Sequence, residues 1–272
     1  MTNHKLALGR ETGYPDKYAP EVLDAIPRSH SREPLGITAE LPFRGVDVWN
    51  AWELTWLTEG GCPVAATARI AVPVESPNII ESKSLKLYLN SFAMTEFASV
   101  SDVANLIRAD LGRCAESPVD VRVAPVWSTE ARAVSRLAGA SLDDLGIDCE
   151  DRDVNADLLH ADSDDIVTVD LHTHLLRSLC PVTAQPDTGS LQIAYRGPAI
   201  EPASLLRYIV SYRQHSDFHE SCIERMFVDI TERCKPLDLT LHARYQRRGG
   251  IDINPFRSTS AHRPRDLRLW RQ

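Results

Sequence analysis

Cysteine, acid and histidine residues that could act together on a substrate gather in a few short stretches of this 272-residue sequence. The densest is SLCPVTAQPDTGS, residues 178–190. Cys180 stands between a predicted strand and a loop rich in Pro and Gly, and Asp187 follows seven residues later in that loop. Such a loop can offer a thiol to a pocket with a carboxyl beside it. A free thiol ionises near pH ~8.5, so a nucleophilic one needs a positive or hydrogen-bonding neighbourhood. A carboxylic acid giving its proton to the reacting group contributes roughly 10²–10⁴-fold in rate. The same residues also read as a buried thiol and a turn-forming acid, since Cys is among the most buried residue types.

RQHSDFHESCIER, residues 213–225, places His215 and His219 four apart on a predicted helix, where they share a face. That spacing can hold zinc, but H-E-x-x-H and a matching second ligand set are missing. His219 with Glu220 can instead bind and move protons, or both histidines are ordinary surface groups. His172 and His174 lie on one side of a predicted strand with Thr168 and Asp170, as the polar side of a half-buried strand would.

Two basic motifs remain. ESKSLK, residues 81–86, puts Glu81, Lys83 and Lys86 near a helix start, where N–H groups and lysines can hold phosphate. RYQRRGGIDINPFR, residues 244–257, puts Arg247 and Arg248 before Gly249 and Gly250. Arginine forks suit phosphate, and glycine lets backbone approach a ligand closely. Each motif alone is also what a solvated element end looks like. No G-x-G-x-x-G follows a strand, so a Rossmann nucleotide domain is not supported.

The elements that must position these residues follow from periodicity. Residues 46–57, 66–74 and 118–126 alternate as strands, with Pro73 marking an end or an edge. Residues 81–92 and 101–112 have helical spacing, the latter with Ser101 as N-cap. After residue 165 the order repeats. Strands are predicted at 166–176 and 190–197, helices at 201–213 and 217–234, and a strand at 237–246. Residues 143–165 carry ten Asp or Glu against one Arg and read as a solvated junction. The organisation is therefore an irregular leader over 1–43, one half over 44–150 and a second over 151–272. The fold class is α+β, with two antiparallel sheets each backed by helices on one face.

Composition sets the class. With 43% hydrophobic and 25% charged residues the chain is ordinary globular protein. A net charge of -8 argues against a nucleic-acid binder. No apolar run reaches the ~18 residues of a membrane span, and the polar N-terminus has no signal core. None of the six cysteines forms a C-x-x-C pair, so reduced thiols in the cytoplasm are expected.

Four stretches together resemble a known family. They are IIESKSLKLYLNSF (79–92), SLCPVTAQPDTGSLQIAYRG (178–197), YRQHSDFHESCIERMFVD (212–229) and RYQRRGGIDINPFRS (244–258). They are similar to the NADPH-dependent 7-cyano-7-deazaguanine reductases, the nitrile reductases of queuosine biosynthesis, in their long two-half form. The resemblance implies tandem tunnelling-fold units of strand-strand-helix-helix-strand-strand order. The fourth strands come from the resemblance alone.

It further implies four-electron reduction of a nitrile to an aminomethyl group with two NADPH, through a covalent thioimidate on Cys180. Asp187 would be the proton donor, and His219 would assist. Ile80, Glu81, Ser82, His219 and Glu220 would bind the deazapurine. Ser82, Lys83, Arg248 and Gly249 would touch NADPH. A cytoplasmic homodimer without metal or direct nucleic-acid contact is expected. Two positions depart from the family pattern: Thr188 stands where an aromatic residue usually follows the aspartate, and Ala184 where glycine is common. Both bear on packing over the substrate. A zinc-dependent GTP cyclohydrolase or pterin synthase shares the fold and would need ligands from His172, His174, His215 and Cys180. A non-catalytic purine-binding module would lack Cys180 or Asp187, and both are present.

Overall fold

The computed structural model describes residues 13–38, 40–128, 133–151, 153–261, 264–265 and 267–272. Ten strands run through them: β1 (Ala25–Pro27), β2 (Arg44–Leu57), β3 (Pro63–Pro73), β4 (Asn78–Ile80), β5 (Asp120–Pro125), β6 (Ala140–Ser141), β7 (Ala161–Leu179), β8 (Pro186–Ile200), β9 (Asp238–Tyr245) and β10 (Ile251–Ser258). The helices are α1 (Ser29–Arg32), α2 (Ser82–Asn90), α3 (Val100–Ala115), α4 (Pro202–Ser211) and α5 (His219–Cys234). The strands pair almost wholly antiparallel, so the chain is α+β as expected. No helix among the described residues is long and apolar enough to cross a membrane.

The chain divides into two compact units. The first holds residues up to 29, 48–131 and 247–252. Here β3 pairs antiparallel with β5, and alternate residues of β3 (Ala66, Ala68, Ile70, Val72) are buried. Leu85 and Tyr88 of α2 and Val103, Ile107 and Leu111 of α3 supply the helical side of this core. The α3 N-cap is Ser99, whose hydroxyl accepts the Asp102 N–H at 3.1 Å, and not Ser101. Only Ser99 has the extended backbone that lets a side chain turn back onto the first turn. The stretch before residue 44, which reads as irregular, carries β1. Its partner is β4, with Ala25 opposite Ile80. Both are three residues long, too short for alternation to show.

The second unit holds residues 30–47, 132–246 and 253–272. β7 and β8 form a long hairpin, β9 pairs with β8, and β10 pairs with β9. α5 packs on β7, β8 and β9, burying Ile223, Met226, Phe227 and Ile230. β7 starts at Ala161, so residues 161–165 of the acidic stretch belong to a strand and not to the junction. β10 has no counterpart in the periodicity; a fourth strand is implied only by the resemblance. Every residue of it is buried, including Asp252, Asn254, Arg257 and Ser258. Polar residues and Pro255 erase the apolar alternation that marks a strand. Their partners are distant in sequence: Asn254 accepts from Gln272 Nε2 at 2.6 Å, and Arg257 meets Asp47 and Glu224.

Six of the seven tyrosines hold their phenols above the ordinary value near 10. Burial is the leading cause in each. Tyr18, which with Tyr88 donates to Asp110, is pushed up to about 12. Above pH ~10 the unfolded chain releases these protons and the folded chain does not. The folded state then binds more protons, so stability is intact below that pH and falls as pH rises. Each fully buried tyrosine removes up to about 1.4 kcal/mol per pH unit in that window. Tyrosinate absorbance from these six, apart from that of the exposed Tyr14, should therefore appear in one step with loss of circular dichroism between pH 10 and 12. A gradual titration of the six phenols in the folded protein would contradict this.

Candidate active site

Cys180 directly follows β7, and the hairpin loop it opens is closed by backbone bonds. Its N–H donates to Gln185 O at 2.9 Å, and Ala184 N–H donates back to Cys180 O at 2.9 Å. Ala184 has φ 52°, the left-handed region. A side chain there costs about 1 kcal/mol relative to glycine, so Ala184 carries backbone strain. The Cys180 side of the loop is held by a second segment. Leu179 N–H donates to His215 O at 2.8 Å, and Asp217 N–H donates to Leu179 O at 3.2 Å. That pairing brings the entry to α5 alongside the end of β7.

Asp187 lies on β8 and not in the loop. It is the register partner of Ser178 across the hairpin, two residues before Cys180. Pairing with Leu179 and Ser178 of β7 extends β8 back to Pro186, and Asp187 is 4% exposed. His219 is the first residue of α5, and His215 lies before that helix in an extended conformation. The two histidines therefore do not share a helical face. His219 Nε2 is 3.3 Å from Asp187 Oδ2, while His215 Nε2 is 3.8 Å from Asp217 Oδ2. Glu220 is buried beside His219 in the first turn.

Three groups absent from the sequence reading line this cluster. The Tyr245 ring stacks on the His219 imidazole with centroids 3.8 Å apart and planes 30° apart. Cys222 is fully buried, and burial, with Asp217, Asp187 and Glu220 nearby, pushes its thiol well up. Ser178 is fully buried. Tyr245 ends an apolar face of β9, and Cys222 sits on an apolar helix face, so each looks like plain core in the sequence.

A second cluster belongs to the first unit. Ile80 ends β4, Glu81 is the N-cap of α2, and Ser82 and Lys83 begin that helix. The Glu81 carboxylate accepts Lys83 N–H at 2.9 Å and Ser84 N–H at 2.6 Å. A negative charge at this helix end is favourable, although Glu is not a preferred cap. The helix start expected to offer N–H groups to phosphate is thus largely occupied by Glu81. Gly249 has φ 59°, and a Cβ there would come within 3.0 Å of the Lys86 side chain. Lys86 therefore lies against the turn that carries Arg248 and Gly249. Arg247 lies 3.8 Å from Glu53 on the same turn.

His172 and His174 lie on β7 with rings 5.4 Å apart. Their Nδ1 atoms lie 3.2 Å from Ala138 O and 2.7 Å from Ser190 Oγ. Among the described residues no group of three or more His, Cys, Asp or Glu is arranged to hold a metal ion.

Two family models match the sequence in chain order. Residues 14–123 match the N-terminal model of the nitrile reductase 7-cyano-7-deazaguanine reductase, and residues 186–264 match the model of the QueF-like protein. Between them they take in well over half of the chain, including the Glu81 cluster and the Asp187–His219 pair. The chain belongs to the 7-cyano-7-deazaguanine nitrile reductases of queuosine biosynthesis, in their two-half form.

Proposed function

We propose that this protein reduces the nitrile of 7-cyano-7-deazaguanine to 7-aminomethyl-7-deazaguanine with two NADPH, through a covalent thioimidate on Cys180. The observation that carries the reading is the buried Asp187–His219 pair at 3.3 Å, on the hairpin that also presents Cys180. The Cys180 sulfur adds to the nitrile carbon, and the nitrogen takes a proton from Asp187. One C–N π bond is lost and one C–S bond forms, leaving C=N. His219 then supplies and redistributes protons as the nitrogen gains them. Collapse of the reduced adduct expels the Cys180 thiolate and leaves an imine for the second reduction. Splitting the reaction this way replaces one difficult step by easier ones. Two NADPH bound in turn would each supply one hydride; Lys83, Lys86, Arg248 and Gly249 would hold the dinucleotide, with Ser82 alongside. Ile80, Glu81, Ser82, His219 and Glu220 are assigned to the deazapurine. The Glu81 carboxylate, fixed by its two helix N–H donors, keeps lone pairs for ring N–H groups.

The element orders β2-β3-β4-α2-α3-β5 and β7-β8-α4-α5-β9-β10, each with its two helices between strands, support reading the architecture as tandem tunnelling-fold units. Family membership supports two companion expectations, a homodimer and a cytoplasmic location. The deciding experiment mixes protein, 7-cyano-7-deazaguanine and NADPH. Two NADPH should be oxidised for each aminomethyl product. A ratio of one, with an aldehyde or imine released, would overturn the four-electron assignment.

A further inference from the structure

We infer that Tyr245 and Gln246, the last residue of β9 and the one after it, are positioning residues that align the Asp187–His219 pair. This inference rests on the proposed roles of Asp187 and His219. The two neighbours act on the two partners by different contacts. Tyr245 acts on His219: the rings are stacked at 3.8 Å. The tyrosine ring is itself held, because Tyr245 is the register partner of Gly189 on β8. A Cβ at Gly189 would stand 3.3 Å from Tyr245 Cδ1 and 3.1 Å from Arg244 O, tighter than ordinary contact. The missing side chain is what lets the ring lie flat across β8 toward His219.

Gln246 acts on the strand that carries Asp187. Its side-chain Oε1 accepts the Thr188 hydroxyl at 2.6 Å, and its Nε2 donates to Pro186 O at 3.2 Å. Its backbone N–H donates to Thr188 O at 2.9 Å. One residue therefore grips the positions on both sides of Asp187. This gives Thr188 a role: where the family usually carries an aromatic residue, this chain carries the donor of the Gln246 clamp. The Tyr245 phenol is kept protonated by burial, so its part is the ring and not a proton.

Three variants and one control test this. Gln246→Ala should lower kcat roughly 10-fold and Tyr245→Leu roughly 10–100-fold, the scale of an ångström-level misplacement of reacting groups. KM should change little in both. The pH profile of kcat should shift in both, because the 3.3 Å contact that couples Asp187 to His219 is loosened. Tyr245→Phe keeps the ring and should restore kcat and profile relative to Tyr245→Leu. Gln246 is half-exposed, so its replacement keeps the test valid even where Tyr245→Leu does not fold. Folded Gln246→Ala with wild-type kcat and pH profile overturns the clamp, and a Tyr245→Phe loss as deep as that of Tyr245→Leu overturns the stacking role. Asp187→Asn is the control. If it stays active, the proposed reading fails together with this inference. If it is inactive while Gln246→Ala is unaffected, only the positioning role fails.

Discussion

With alanine at position 180, the protein is expected to oxidise no NADPH in the presence of the nitrile. It is also expected to gain no mass when incubated with the nitrile alone. Wild type, under the second condition, should gain the mass of one substrate. In the proposed route the nitrile carbon becomes reducible only after the sulfur has added to it, and no other described side chain in the cluster is placed to replace that bond. Cys222 is the nearest alternative by chemistry, but it is fully buried and its thiol is held protonated by that burial. Removing a nucleophile that works as a unit with its acid costs on the order of 10⁴-fold or more. The loss would not come from unfolding. Cys180 is half-buried at the mouth of a hairpin, and its backbone bonds to Gln185 and Ala184 survive the change. Substitutions at such positions usually lie within about 0.5 kcal/mol of wild type. Turnover in a folded Cys180→Ala protein would sink the covalent route and leave the family assignment standing.

The second large effect concerns the fold and not the chemistry. In the second unit four charges meet out of water. Arg32 donates two bonds to Glu224, at 2.8 and 2.7 Å. Arg257 donates to Glu224 at 2.8 Å and to Asp47 at 2.7 Å. Phe43 covers them, with both guanidinium groups within 6 Å of its ring centre at 5.9 and 5.4 Å. Burial opposes the charge on Arg257, and Asp47 and Glu224 more than offset it. Glu224 is the shared acceptor, so Glu224→Ala leaves two arginines facing each other with one carboxylate. Breaking a buried pair from one side costs about 3–5 kcal/mol, because the orphaned charge stays buried. That is a large part of a domain's whole stability of roughly 5–15 kcal/mol. Glu224→Ala should therefore either fail to accumulate as soluble protein or unfold at a much lower urea midpoint. A loss below about 1 kcal/mol would show that water reaches the cluster.

The comparison of sequence and structure divides along range. Strands β2, β3, β5, β7, β8 and β9 and helices α2 to α5 are all visible as local apolar periods, with ends displaced by a few residues. The proposed reactive residues stand out in the sequence too, because Cys180, Asp187 and His219 sit in unusual polar company near element ends. What local pattern misplaced was their geometry. Asp187 reads as a loop residue because Pro186 and Gly189 flank it, and only pairing with β7 makes it a strand residue opposite Ser178. His215 and His219 read as one helical face, but α5 begins at His219 because the residues before it pair with the end of β7.

By itself the sequence determined the α+β class and the order of most elements, and it singled out the residues proposed to do chemistry. These depend on spacings of two to four residues, which the chain carries along its length. The tertiary structure decided the rest: β10, the four-charge cluster, the stacking of Tyr245 on His219 and the Gln246 grip around Asp187. Each depends on partners 14 to 210 residues apart in sequence. A polar residue whose partner lies on another strand leaves no periodic trace. Its burial is stable only once the fold has brought that partner within hydrogen-bonding distance.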